Sequence, residues 1–296
     1  MLREKILRKI YITTLIVFVL FIISSFTVNK TISDIKVEYQ TKLSKIYLLD
    51  DNNYLLEVNV SVKDNIYDNI PIVFNNLKDN KHYSGLKGLI PTNTKLNSYE
   101  INNKVLNIDF DDNLLKVNDD IKNKIIESLV FSYTSFKEID KIMITINKKT
   151  LSEINNDYLD ILTRDIGINK EYMITKLEDI QKVVLYYYEE KEGNKYYVPV
   201  TKYLNSKDDK IKIIIDNLKT NYLVKTNLMS YINDKVRIEN YEKTNNIVTI
   251  SFSSILDFNN DNILEEVIYV LSNSIIDSNI AEKVIFTHND QILNIK

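Results

Sequence analysis

The chain has 296 residues, 44% hydrophobic and 27% charged, with a formal net charge of −3. That composition excludes a wholly disordered or fibrous chain and leaves room for two modest domains. Cysteine is absent, histidine occurs twice and glycine four times; this excludes disulfides, thiolate metal sites, cysteine nucleophiles, an acylated cysteine anchor, multi-histidine metal centres and Gly-rich phosphate loops.

Residues Ile10 to Val28 carry no charge. At ~1.5 Å per residue this stretch matches one bilayer core. Arg3, Lys5, Arg8 and Lys9 precede it, so the positive-inside rule places the N-terminus in the cytoplasm and the bulk of the chain outside the cell membrane, as a single-pass protein. A cleaved signal peptide is the rival reading; the apolar run exceeds a usual signal core and no A-x-A-like site follows it. Setting aside those four basic residues and Glu4, the 38 basic and 41 acidic residues become 34 and 40, a net charge of −6. An acidic exterior argues against nucleic acid as a partner and is neutral towards proteins and uncharged glycans.

The stalk, residues 29–44, is polar. Beyond it the chain reads as a repeat. Lys45-Ile-Tyr-Leu-Leu, a turn at 50–53 and Tyr54-Leu-Leu-Glu-Val-Asn-Val align with Lys182-Val-Val-Leu-Tyr-Tyr-Tyr, a turn at 189–195 and Tyr196-Tyr-Val-Pro-Val. Alternating apolar runs around polar turns predict a β-hairpin in each. A short helix follows: Tyr67, Ile70, Phe74 and Leu77 share one face, with Pro71 tolerable only in a first turn. In the second repeat Ser206 and Asp209 form a capped start before Ile211, Ile214, Ile215 and Leu218. A second hairpin comes next, turning at Asn102-Asn103 and at Asn245-Asn246, since asparagine reaches positive φ cheaply. Then comes a longer helix, with Ile121, Ile125, Leu129 and Phe136 on its apolar face in one copy and Ile263, Val267, Leu271 and Ile275 in the other. Strands at 141–147 and 283–289 close the units. Between the repeats, Leu151, Ile154, Tyr158, Ile161 and Leu162 read as helix, broken at Gly167.

The expected fold is therefore α+β, with two tandem α/β-sandwich repeats (hairpin, helix, hairpin, helix, strand) behind one transmembrane helix. The expected divisions are a cytoplasmic tip and anchor at 1–28, the stalk at 29–44, a first domain at 45–149, a bridging segment at 150–178 and a second domain at 179–296.

Leu89-Ile90-Pro91-x-x-Thr94-Lys95-Leu96 enters the second hairpin; Val105-x-x-Ile108-Asp109-Phe110 ends a strand in an acidic–aromatic pair; Ser128-Leu129-Val130-Phe131-Ser132-Tyr133-Thr134, with Phe136, Ile139, Asp140 and Lys141, leads into the closing strand. Val184-x-Leu-Tyr-Tyr and Tyr197-Val198-Pro199-Val200-Thr201 form the opening hairpin of the second copy. Together these resemble the GerM (GerMN) domain, a sporulation and germination domain often found in tandem on membrane-anchored bacterial envelope proteins. The second copy departs from the pattern: Ser251 stands where the first has Asp109, and Leu228-Met229-Ser230 where it has Ile90-Pro91-Thr92. Asparagine replaces the family's turn glycine in both second hairpins. The resemblance implies a non-enzymatic domain acting in protein–protein association, similar to ring-building modules of secretion-like assemblies, with no catalytic residues, cofactor or metal to carry over.

Residues able to carry chemistry have plainer readings beside the functional ones. Asp109, Asp111 and Asp112 could serve a metal or acid–base site; a solvated strand end explains them as well. Asp257-x-Asn259-x-Asp261 suggests a calcium loop, but Asn262 and Ile268 occupy the positions that need Gly and Glu. His82 and His288 could pair with acids, His288 beside Asp290, but no Gly-x-Ser-x-Gly nucleophile elbow occurs. Tyr186, Tyr187 and Tyr188, with Tyr196 and Tyr197 opposite, could stack sugars or pack a sheet. The expectation is an extracytoplasmic scaffold that meets an envelope or sporulation-complex protein, with a homo-oligomer compatible with tandem repeats. The alternative is a peptidoglycan- or glycan-binding envelope module.

Overall fold

The computed structural model describes residues 42–79, 82–219, 227–232, 236–255, 261–289 and 291–293. The anticipated anchor and nearly all of the stalk lie outside the described residues, as do Asp257 and Asn259. Among the described residues no helix is long and apolar enough to cross a membrane.

The first repeat opens with an antiparallel hairpin of β1 (Leu43–Leu49) and β2 (Leu55–Ser61). The Asp50 carboxylate closes its turn, accepting from the Asn52 and Tyr54 amides at 3.0 and 2.6 Å. Helix α1 (Ile66–Asn76) starts at Asn65, whose side chain accepts from the Tyr67 amide. Ile70, Val73 and Phe74 face the core, whereas Tyr67 is exposed. Pro71 falls in the second turn rather than the first, because the Asn65 cap sets the helix start earlier than proline alone would suggest; the Tyr67 carbonyl loses its helical donor. Strands β3 (His82–Tyr83) and β4 (Leu86–Lys87) form a small hairpin, and β4 joins β1 at Leu49.

Strands β5 (Leu96–Asn102) and β6 (Val105–Phe110) form the second hairpin. Its two-residue turn is Asn103-Lys104, one position beyond Asn102-Asn103, with φ of +49° and +62°. Two successive positive φ values match the right-handed strand twist. Helix α2 (Asp119–Tyr133) is capped by Asn118 and buries Ile125, Ile126, Leu129 and Val130. Phe136 is buried but lies past the helix end rather than on its face. Helix α2 carries the chain back to β7 (Lys141–Ile146), parallel to β6, and β8 (Lys149–Thr150) folds back on β7.

The bridging segment is not the helix its apolar spacing suggested. Only α3 (Leu151–Ile154) forms, one turn with a Thr150/Glu153 capping box. Asparagine then ends it: Asn155 leaves the helical region, and its side chain accepts from the Asp157 amide, an Asx turn that competes with helix. Strand β9 (Ile161–Leu162) pairs with β7, a 3-10 turn spans Arg164–Ile166, and β10 (Glu171–Met173) follows.

The second repeat begins with β11 (Ile180–Lys191) and β12 (Asn194–Asn205), a hairpin much longer than expected. Its turn is only Glu192-Gly193, with φ of +48° and +77°. Strand β10 runs parallel to β12 at Lys202–Leu204. Helix α4 (Lys210–Lys219) follows. Asp209, not Ser206, caps it by accepting from the Lys212 amide at 3.0 Å, while Ser206 serves the turn before. Then come β13 (Val236–Thr244), β14 (Ile247–Ile255), α5 (Asp261–Asp277), β15 (Lys283–His288) and β16 (Gln291–Ile292), with β15 parallel to β14. Val267, Leu271 and Ile275 are buried.

The long helix of each repeat does more than cover a sheet face. Ser128 Oγ donates to the Tyr47 carbonyl at 2.6 Å and Ser132 Oγ accepts from the Tyr47 amide at 3.1 Å. In the second repeat, Ser274 Oγ accepts from the Tyr186 amide at 3.0 Å and Ser278 Oγ from the Val184 amide at 2.8 Å. These hydroxyls complete the strand edges of β1 and β11, as buried backbone groups require. They also fix the correspondence of the repeats: Tyr47 matches Tyr186, so Lys45 matches Val184 and not Lys182. A two-residue slip keeps every side chain on its face, and the hydrophobic pattern does not register it. The buried apolar residues of both repeats belong to one continuous core, and the described residues from Lys42 onwards form one compact unit.

Candidate functional site

Of the residues singled out from sequence, Asp109, Asp111, Asp112 and His288 are engaged by neighbouring groups. Asp109 Oδ1 accepts from Thr145 Oγ1 at 2.6 Å and the Lys148 amide at 2.7 Å, and its Oδ2 from Asn97 Nδ2 at 2.9 Å. Burial opposes its charge, but these hydrogen bonds outweigh burial and hold its carboxyl below the usual carboxylate range. Asp111 accepts from the Lys95 amide and from Asn113, and Asp112 pairs with Lys116 on the surface. Ser251, at the position of Asp109, hydrogen-bonds Thr287 at 2.8 Å. His288 Nδ1 lies 2.9 Å from the Phe252 carbonyl and Nε2 lies 3.0 Å from Asn289 Nδ2. His82 sits in β3, opposite Lys87. Among the described residues no group of three or more potential ligands could hold a metal.

The tyrosines pack. Tyr186 and Tyr187 are buried. Tyr188 stacks on Tyr231, and Tyr197 on Tyr269, each with ring centroids 4.0 Å apart; Tyr196 is half-buried on the rim.

The polar groups that converge lie instead on the seam between the repeats. Arg164, in the bridging segment, donates to Thr134 Oγ1, Ser135 Oγ and the Phe131 carbonyl at the end of α2, and pairs with Asp277 of α5 at 2.8 Å. Its guanidinium also covers the Phe131 ring. Burial works against the guanidinium charge, but Asp277 outweighs it and keeps Arg164 firmly protonated. Asp277 also accepts from the Tyr186 hydroxyl at 2.6 Å.

Next along the seam, Glu57 of β2 accepts from the hydroxyls of Tyr47 and Tyr269 and pairs with Lys45 at 3.3 Å, joining β1 and β2 to α5. Burial first, then the Glu57 charge, raises the Tyr269 hydroxyl far above its ordinary value, so it remains a donor.

Asn169 is the third tie. Its amide group accepts from the Leu55 amide at 2.8 Å, donates to the Leu55 carbonyl at 2.9 Å and donates to the Pro199 carbonyl at 2.8 Å. Proline suits that position, because its missing N–H faces the same strand edge as its carbonyl. Lys124 donates to the Asn169 oxygen, and Glu127 accepts from the Asn169 amide and pairs with Lys170 at 3.0 Å. Gly167, two residues before, has φ of +76°, and a Cβ there would come within 3.0 Å of the Thr201 side chain; no other residue fits without strain.

At the hairpin turns Tyr54 donates to Glu171, which faces buried Lys202 at 3.6 Å. Burial and the Glu171 charge push the Tyr54 hydroxyl up to about 12. Beside them lie Asp50, Glu189 and Lys191. This arrangement clamps one repeat on the other. The sequence offered no signal for it: Arg164, Asn169, Glu57 and Asp277 belong to no motif, and their partners are 29 to 114 residues away for Arg164 and Asn169 alone.

The sequence profile of a family described as Germane, sporulation and spore germination, matches residues 45–152 and 184–294. The two matches open 139 residues apart, the spacing of Tyr47 and Tyr186. The spore germination protein GerM of Bacillus subtilis (strain 168) is 28% identical over 176 residues, which is 57% of this chain and 48% of that protein. The aligned part thus spans about half the length of that relative. A solved structure, the tandem GerMN domains of the sporulation protein GerM from Bacillus subtilis, superposes with a TM-score of 0.72 at 21% identity, covering 85% of this chain and 92% of that one. That likeness is one of fold: two such domains in tandem.

Proposed function

This chain belongs to the Germane family of sporulation and spore germination, and from that membership we propose that it is a non-enzymatic scaffold that supports assembly of an envelope or sporulation/germination complex through protein–protein contacts. In this reading the apolar stretch from Ile10 to Val28 anchors it in the bacterial cell membrane, with the repeats outside. The observation that carries the proposal is the seam. Arg164, Glu57 and Asn169 join the repeats into one body, and a rigid body holds two surfaces at a fixed separation, as an assembly factor must.

One feature keeps a glycan-binding reading as the second choice. Tyr172 is 68% exposed and stacks on Tyr203 with centroids 4.9 Å apart, an aromatic face of the kind that stacks on sugar rings. The two readings separate in one experiment. A tagged chain is recovered from membranes of sporulating cells with and without cross-linking, and in parallel is sedimented with purified peptidoglycan. Cross-linked envelope proteins without sedimentation support the scaffold. Sedimentation that Tyr172→Ala abolishes supports the glycan reading instead. Deleting residues 1–28 should release the repeats from the membrane; a fragment that stays bound would refute the single anchor.

A further inference from the structure

Asp50 and Glu189 occupy equivalent positions, each one residue past the strand residues Leu49 and Tyr188, and the seam brings them together. Both are buried, at 2% and 1% exposure. Asp50 Oδ1 is committed to its own turn through the Asn52 and Tyr54 amides. Glu189 Oε1 accepts from Asn52 Nδ2 at 3.4 Å. Lys191 reaches both acids, 3.5 Å from Asp50 Oδ2 and 3.6 Å from Glu189 Oε1. These separations are ion-pair distances longer than a good hydrogen bond. Asp50 Oδ2 and Glu189 Oε2 are buried with no hydrogen-bond partner. One ammonium thus serves two buried carboxylates.

We propose that Asp50, Glu189 and Lys191 form a proton-operated latch across the seam, closed while Glu189 holds its proton and loosened once it ionises. The proton that leaves goes to solvent; no other group changes charge. A second cation, Lys124, reaches Asp50 with its charge but is shared with other partners. From the first turn, Asp51 and the Tyr54 hydroxyl face the cluster; Tyr54 is held by Glu171, itself matched by Lys202. Lys124, on α2, is already paired with Glu127 and Asn169. From the second turn comes Glu192, and Gly85 of the β3–β4 turn lies beside Lys191 and Glu192. Burial first and the Asp50 charge second raise the Glu189 carboxyl above its ordinary value, against the opposing pull of Lys191. For an acid raised in this way the folded state binds the extra proton, so the closed seam is strongest at low pH and weakens as pH rises through the Glu189 ionisation. The latch does not depend on which partner the scaffold meets.

The test follows backbone amide exchange of the full chain between about pH 5 and about pH 8, corrected for the intrinsic pH dependence of exchange. Protection at residues 50–54 and 189–194 should fall by up to about tenfold per pH unit between the ordinary carboxylate range and the raised Glu189 ionisation and level off above it, as release of one proton requires, while residues 106–110 of β6 keep theirs. Glu189→Gln removes the charge and should be equally protected across the range. Lys191→Met removes the supporting cation and should move the transition to higher pH. An equal fall in wild type and Glu189→Gln would overturn the latch. So would a transition that Lys191→Met leaves in place, or a loss of protection shared with β6.

Discussion

Asn169 and Leu55 form the pair of hydrogen bonds that neighbouring strands form, with one side chain in place of a strand: the Leu55 amide donates to the Asn169 oxygen, and the Asn169 nitrogen donates to the Leu55 carbonyl. Because the same nitrogen also serves Pro199, a single amide joins the edges of β2 and β12. Asn169→Ala should leave buried backbone groups of both repeats without partners and cost about 2–4 kcal/mol. Asn169→Asp keeps the acceptor but removes both donated bonds, and should fall near the alanine variant. Urea unfolding of the two variants checks this.

Arg164 gathers three acceptors at the end of α2 and one on α5. Arg164→Lys retains the charge but not the planar fork, so it should still cost about 2–3 kcal/mol. Arg164→Ala leaves Asp277, largely shielded beside Tyr186, without its cation and should cost about 3–5 kcal/mol. Calorimetry adds a second readout: the wild type should unfold in one transition, as a single core demands, and Arg164→Ala should split it in two.

Asp109 sets an acid limit. Its carboxyl is held below the ordinary range, so its contribution is present above the unfolded value of about 3.9 and fades as pH falls through the lowered folded one. Stability of the wild type measured downwards from about pH 5 should decline more steeply than that of Asp109→Asn. Asp109→Ala should cost about 1–3 kcal/mol at neutral pH. Asp109→Ser should cost less than alanine, since Ser251 already makes the corresponding bond to Thr287 in the second repeat.

Pro71 interrupts α1 in its second turn. Pro71→Ala restores the amide that the Tyr67 carbonyl lacks and should stabilise the chain by about 1–3 kcal/mol. A denaturant midpoint that moves down would mean the proline ring packs better than the helix bond it displaces.

The order of hairpins, helices and closing strands was legible because each is written in local residues. Asn118 caps α2, Asn103 and Asn245 take positive φ in the turns, and Ile125, Leu129, Val267 and Leu271 keep helical spacing. Three things were not local. Matching Lys45 to Lys182 satisfied the pattern, and only the serine contacts of α2 and α5 reveal the true offset. The arms of β11 and β12 continue through Glu189, Glu190 and Lys195, charged residues that read as turn although Glu190 pairs with Lys195 across the ladder and Glu189 is buried against Asn52 of the first repeat. The bridging segment carried helical spacing at Leu151, Ile154 and Tyr158, but Asn155 diverts it after one turn, and pairing with β7 then claims Ile161 and Leu162. The seam escaped notice for the same reason, since Arg164, Asn169 and Glu57 meet partners far away in sequence, Asp277, Leu55 and Tyr269 among them.

The serines of α2 and α5 also bear on solubility. A strand edge with free amides and carbonyls is a template on which another chain can pair. At Tyr47, and at Val184 and Tyr186, hydroxyls from the protein's own helices already occupy those groups. A foreign strand arriving there would have to expel a packed helix before gaining one backbone bond, so the apolar opening hairpins sit beside each other in every molecule without offering themselves to the next.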